Sequence, residues 1–156
     1  MKIRFHGRGG QGCFTAARLL GLAATAQGFY SLAFPSFGPE RRGAPVVGYT
    51  KISDKPVRDR SAILKPDVVV VLDEKMLNAA SKSGLAENGL LLVNSKEITE
   101  LALKILGRAV VNTAMLGLLA KKDIVKLEFV EQAIKNEFKG ALLEKNLELL
   151  RRAYGN

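Results

Sequence analysis

A chain of 156 residues, 47% of them hydrophobic, is sized for one domain with a real core, which excludes a disordered tail. One cysteine and one histidine exclude an internal disulfide, an all-cysteine zinc or iron–sulfur site and a histidine-rich metal site within the chain. The net charge of +9 is concentrated at the front: residues 1–66 carry 11 Lys/Arg against 3 Asp/Glu, the remainder 13 against 12, which suggests an anionic partner or a solvated basic face.

Residues 2–6 alternate, Ile3 and Phe5 on one side and Lys2, Arg4 and His6 on the other, predicting a half-buried strand. Residues 11–26 place Ala16, Leu19, Leu20 and Ala23 at helical spacing, and Gly28 suits the C-terminal cap. FYSLAF (29–34) reads as a second strand. PSFGPERRGAP (35–45) is a loop, VVGYTKIS (46–53) alternates as a strand, and Asp54-Lys55-Pro56 turns the chain. VVVVL (68–72) is a continuous apolar run and predicts a strand buried on both faces. Asp73 is placed to cap a short helix over 74–83. LLLVN (90–94) is another buried strand, followed by a helix from Ile98 to Leu106, a strand at AVVN (109–112) and a helix at AMLGLLAKK. Two helices end the chain, one with Leu127, Val130, Ile134 and Phe138 in a stripe, the other with Leu143, Leu147, Leu150 and Tyr154.

The alternation predicts an α/β fold in a single domain, 1–156: one doubly wound, mostly parallel sheet with helices on both faces and a helical C-terminal tail. No apolar run approaches the ~20 residues that span a bilayer. Nothing after Lys2 and Arg4 reads as a signal peptide. The expectation is a cytoplasmic protein with no membrane partner.

The segment FHGRGGQG (5–12) is half glycine. Gly7, Gly9 and Gly12 satisfy G-x-G-x-x-G, Gly10 adds a fourth, and a strand precedes and a helix follows. Such a turn lets an anion approach backbone N–H groups and the unpaired donors of the helix's first turn, which suits a phosphate-bearing ligand. NAD would require an acidic residue about 20 positions on. FYSLAFPSFG has none, and Glu40 comes late, beside Arg41 and Arg42. Those arginines leave NADP open, whereas the missing Gly-Lys-Ser/Thr rules out a P-loop. The alternative is a turn whose glycines only permit close packing.

Arg41 and Arg42 can present two guanidinium forks to a phosphate. In a doubly wound sheet their loop emerges at the same edge as the glycine turn. They could instead pair with acids on another subunit or sit in water. Cys13 and His6 flank the turn as a formal nucleophile–base pair, but no third orienting group is evident, and Cys13 also fits as a small helix residue. Aromatic residues do not interleave with Lys/Arg and no helix–turn–helix or zinc module is visible, so no nucleic-acid partner is expected.

RFHGRGGQG, AFPSFGPERRGAPV, ILKPDVVVVLD and VVNTAMLG, in this order, resemble the gamma subunit of the pyruvate/2-oxoacid:ferredoxin oxidoreductases over nearly the whole chain. The resemblance implies a non-redox subunit, inactive alone, of a complex that converts a 2-oxoacid, coenzyme A and oxidised ferredoxin to acyl-CoA, CO2 and reduced ferredoxin. It implies alpha, beta and delta-type partner subunits, with thiamine diphosphate and iron–sulfur clusters on those companions and none in this chain. By analogy Gly7, Gly9, Gly10, Gly12, Arg41 and Arg42 would hold the phosphates of coenzyme A, and no residue here would be catalytic. A stand-alone nucleotide-binding module using the same turn is the alternative. Members of the family carry more chain, and an additional strand, between the parts matching LLLVN and VVNTAMLG, so one sheet edge is expected to differ here.

Overall fold

The computed structural model describes residues 1–36 and 43–155. Among these residues five strands form one sheet: β1 (Lys2–Arg8), β2 (Tyr30–Pro35), β3 (Pro45–Ser53), β4 (Val68–Val71) and β5 (Leu90–Val93), in the order β2-β3-β1-β4-β5. β1 pairs with β4, and β4 with β5, in parallel. β3 is antiparallel to both β1 and β2. Four strands thus point one way and β3 alone runs against them, so the expected α/β sheet is mixed, with three contiguous parallel strands.

Strand pleating sorts the side chains onto two faces. Ile3, Phe5, Val68 and Val70 face the main core, where α1 (Cys13–Ala26) contributes Ala16, Leu19, Leu20 and Ala23 as expected. α1 lies close on β3: Thr50 Oγ1 donates to the Ala17 carbonyl at 2.7 Å. Its C-terminus closes as predicted, with Gly28 left-handed at φ 101° and the N–H groups of Gly28 and Phe29 donating to Thr25 and Ala24 carbonyls.

Outside α1, the same layer holds α3 (Lys96–Leu106), α4 (Asn112–Lys121), α5 (Leu127–Glu137) and α6 (Gly140–Gly155). Val130, Ile134, Leu147 and Leu150 are buried there, while Tyr154 at the chain end is 40% exposed. α4 and α6 touch backbone to backbone: a Cβ on Gly117 would stand 2.5 Å from the Leu150 carbonyl oxygen.

The second face is covered differently. Val69, Val71 and Met76 form one small cluster, and Phe34, Tyr49 and Ile63 another. The predicted helix over 74–83 is split into a 3-10 turn (Glu74–Met76) and a single-turn α2 (Ala79–Lys82). Asp73 caps the first, its Oδ1 accepting the Lys75 N–H at 3.0 Å. Asn78 and Ser81 then exchange reciprocal side-chain bonds with each other's N–H, which restarts the helix and explains the break.

β1 is not half-buried. Arg4 and His6, expected on an exposed side, are each 7% exposed beneath the second-face segments. AVVN is not a strand either: residues 109–111 are irregular and Asn112 opens α4. The sheet ends at β5, and Val111 instead caps α4 with its side chain in the helical core. A β-branched run reads locally as a strand, but it needs an edge to pair with. No helix among the described residues is long and apolar enough to cross a membrane.

Candidate functional site

β1 delivers the chain into the glycine turn at the carboxyl edge of the parallel strands, where ligands of such sheets collect. Gly7 is still paired in β1, opposite Val46. Gly9 uses both backbone groups on the far stem of the 36–44 loop: its N–H donates to Ala44 O at 2.8 Å and its carbonyl accepts from Gly43 N–H at 3.1 Å. Gly10 and Gly12 take left-handed backbone, φ 92° and 73°. Gln11 folds back between them, its N–H donating to Arg8 O at 3.0 Å and its Oε1 accepting the Arg8 N–H at 2.7 Å.

Gly12 is the N-cap of α1 and has no side chain with which to cap it. The first intrahelical bond runs from Ala16 N–H to Gly12 O. The N–H groups of Gly10, Gly12, Cys13, Phe14 and Thr15 therefore have no acceptor among the described residues. They share the positive end of the α1 dipole.

One rim of the turn is a polar latch. Arg8 Nε donates to Asp73 Oδ2 at 2.9 Å, Gln11 Nε2 reaches the same oxygen at 3.4 Å, and an Arg8 terminal nitrogen donates to Gly43 O at 3.2 Å. Burial pushes the Asp73 carboxyl up, but the bonds from the Lys75 N–H, Arg8 and Gln11 outweigh it and hold it below the usual carboxylate range. Gly43 and Ala44 thus tie one stem of the arginine loop to Gly9, and Ser36 N–H binds the other stem to Val47 O at 2.8 Å. Arg41 and Arg42 themselves lie outside the described residues.

The opposite rim is a cleft of about 210 Å3 between the starts of α1 and α4, lined by Gly10, Gly12, Thr15, Arg108, Asn112 and Asn146 among others. Thr113 Oγ1 donates to Asn146 Oδ1 at 2.7 Å, and Asn146 Nδ2 to Leu142 O at 2.8 Å. Asn112 Oδ1 accepts the Thr113 N–H at 2.9 Å. Its Nδ2 fills the space a Cβ on Gly12 would need, so residue 12 must be glycine for room as well as for φ. The sequence reading missed this side of the turn, because Asn112 was assigned to a strand end rather than to the first turn of a helix.

Cys13 and His6 are not a catalytic pair. Cys13 sits in the helical core with Phe5, its thiol donating weakly to the carbonyls of Phe5 and Val46, and burial pushes it up to about 12. His6 points to the other face, where its Nε2 accepts from Arg4 Nε at 3.0 Å. Burial, and then the Arg4 charge, push its imidazole down to about 4.

Residues 2–155 match the model of the pyruvate ferredoxin/flavodoxin oxidoreductase family. The chain is 45% identical to the common subunit gamma of the pyruvate/ketoisovalerate oxidoreductases of Pyrococcus furiosus, with 99% of this chain and 95% of that one covered. That alignment runs over 176 positions against a chain of 156, so at least 20 positions have no counterpart here. The crystal structure of pyruvate oxidoreductase subunit PORC from Thermotoga maritima superposes with a TM-score of 0.89 at 36% identity, covering 100% of this chain and 96% of that one. At 14% identity the same fold (TM-score 0.78) occupies 30% of the 2-oxoglutarate:ferredoxin oxidoreductase of Magnetococcus marinus, a structure with 2-oxoglutarate, coenzyme A and succinyl-CoA bound.

Proposed function

This chain belongs to the pyruvate ferredoxin/flavodoxin oxidoreductase family, whose members similar to it include gamma subunits, and from that premise we propose that it presents the phosphates of coenzyme A to a 2-oxoacid:ferredoxin oxidoreductase complex. The complex would convert a 2-oxoacid, CoA and oxidised ferredoxin to acyl-CoA, CO2 and reduced ferredoxin. Alpha, beta and delta-type subunits would surround this one. Thiamine diphosphate would supply the decarboxylation chemistry and iron–sulfur clusters the electron transfer, both on those companions. One buried cysteine, its thiol held protonated, offers no thiolate set for a cluster.

The role of this chain is then positioning. The observation that supports the reading is the bonding of Gly9 to Gly43 and Ala44, the residues that follow the two arginines in sequence, at a turn whose N–H groups lack acceptors among the described residues. Gly10 and Gly12 open the turn to an anion, Gly7 and Gly9 shape it, and Arg41 and Arg42 supply the neutralising charge. Coenzyme A is the phosphate ligand of the chemistry, and the Magnetococcus enzyme that contains this fold binds it. Fixing the phosphates fixes where the thiol end reaches, which lowers the entropic part of acyl transfer.

The test is the double substitution Arg41→Ala, Arg42→Ala in the assembled complex. Loss of two charge-assisted bonds raises the KM for CoA about tenfold or more, while CoA-independent decarboxylation of the 2-oxoacid is unchanged. An unaltered CoA dependence rejects the role given to these arginines.

A further inference from the structure

The cleft on the α4 side of the glycine turn contains an unpartnered donor. Asn112 is 5% exposed, yet its Nδ2 has no acceptor among the described residues. That amide lies against Gly12 on the wall of the cleft. The amide nitrogen opens on the cleft, where a bound acceptor would complete its hydrogen bonding.

The charge left unpaired around it is positive. α1, of 14 residues, and α4, of 10, both begin at this cleft, and neither N-cap residue, Gly12 or Val111, makes a side-chain capping bond. Two helix dipoles thus present positive ends to one space. Arg108 is exposed at its edge and has no ion pair among the described residues. The one carboxylate in the lining, Glu137, is engaged by Arg18. At about 210 Å3 the space is smaller than the roughly 300 Å3 at which pockets begin to hold a whole drug-sized ligand, so it suits a charged head group.

We propose that this cleft is a phosphoryl-binding subsite in which the N-terminal amides of α1 and α4, the Asn112 amide and the Arg108 guanidinium hold a phosphate or diphosphate. The inference rests on the glycine turn being the CoA-phosphate site. It extends that site to residues about 100 positions further along the chain. The Gly43–Ala44 stem lies on one side of the turn and the α4 cleft on the other.

Inorganic pyrophosphate is the probe, titrated calorimetrically into the full-length chain. The wild type binds it, Arg108→Gln and Asn112→Asp each weaken binding about tenfold or more with unchanged circular dichroism, and CoA displaces it. No binding by the wild type, or equal binding by Arg108→Gln and wild type, overturns the proposal. So does failure of CoA to displace the probe. Arg108 is exposed, so its variant carries the test even where Asn112→Asp fails to fold. The chain with Arg41→Ala and Arg42→Ala separates the two readings. Loss of pyrophosphate binding there, with indifference to Arg108→Gln, sinks the cleft and spares the arginine loop. Dependence on Arg108 alongside an unaltered CoA requirement of the Arg41/Arg42 variant complex sinks the loop and spares the cleft.

Discussion

The two faces of the sheet are held by different forces. On the helical face Ile3, Phe5, Val68 and Val70 meet α1, and apolar burial does the fastening. On the other face the apolar clusters are small, and buried cations pin irregular chain onto the strands. Arg4 donates to the carbonyls of Ile63, Ser81 and Ser83 at 3.1, 3.0 and 2.6 Å. Lys51, 7% exposed in its side chain, reaches Asp59 at 2.6 Å and lies 5.5 Å from the centre of the Phe34 ring. The contrast changes the meaning of the charge asymmetry. Of the cations in the basic front segment, Arg4 and Lys51 are structural, Arg8 is latched to Asp73 and Arg18 to Glu137. Fewer are left for a ligand than the count suggests.

The strongest discrimination between the faces comes from Phe5→Ala against Arg4→Met. Phe5 is fully buried, and its loss opens a cavity costing about 3–5 kcal/mol. Arg4→Met keeps volume but strips donors from three carbonyls and from His6, for a loss of about 3 kcal/mol. Urea unfolding gives the totals and amide exchange gives the location. Phe5→Ala speeds exchange across the whole sheet and α1, whereas Arg4→Met speeds it first in residues 54–67 and 79–85. Uniform acceleration by Arg4→Met would mean that the second face is not a separately fastened layer.

Acid is expected to act on the second face through His6. Its folded value, about 4, lies below the ordinary 6.5, so the unfolded chain takes up a proton first as pH falls. The contribution is intact above about pH 6.5 and declines between there and pH 4, by at most about 3 kcal/mol. Protonation would also cost Arg4 Nε its acceptor and place two cations together. Stability measured from pH 7.5 to 4 in wild type and His6→Gln should show the steeper decline in wild type, and parallel curves would contradict the assignment.

The same division marks how far the residues could be read in advance. Helical stripes such as Leu127, Val130 and Ile134 and the β-run Val68–Val71 have a period or a density that one packing environment explains. The glycine turn was equally open, since strand, glycines and helix are contiguous. Arg4 was not, because alternation says which side a residue faces and nothing about what distant chain covers that side. The run Ala109-Val110-Val111 misled for a related reason: strand propensity is local, whereas the edge a strand needs is tertiary. Asn112 and Arg108 were hidden behind that error, and Asp73, visible as a cap, gave no sign of its bond to Arg8 across 65 residues.

Asp73 sits at the carboxyl end of β4, where the two faces meet the turn, and the smallest expected effect is there. Asp73→Asn keeps an oxygen for the Lys75 N–H but turns the other end into a donor that cannot accept from Arg8 or Gln11. Because the Arg8 side chain is 37% exposed, water replaces much of what is lost, and stability falls by only about 0.5–1 kcal/mol. The local consequence is larger than the global one. Arg8 also holds Gly43 O, and the Gly9–Gly43–Ala44 bonds depend on that stem staying in place. Amide exchange at Gly9 and Gly43 should therefore quicken while Val69 and Val71 in the adjoining strand keep their protection. Unchanged exchange at both glycines would show that the stem holds without the latch, and that the Gly43–Ala44 stem is positioned by its backbone bonds alone.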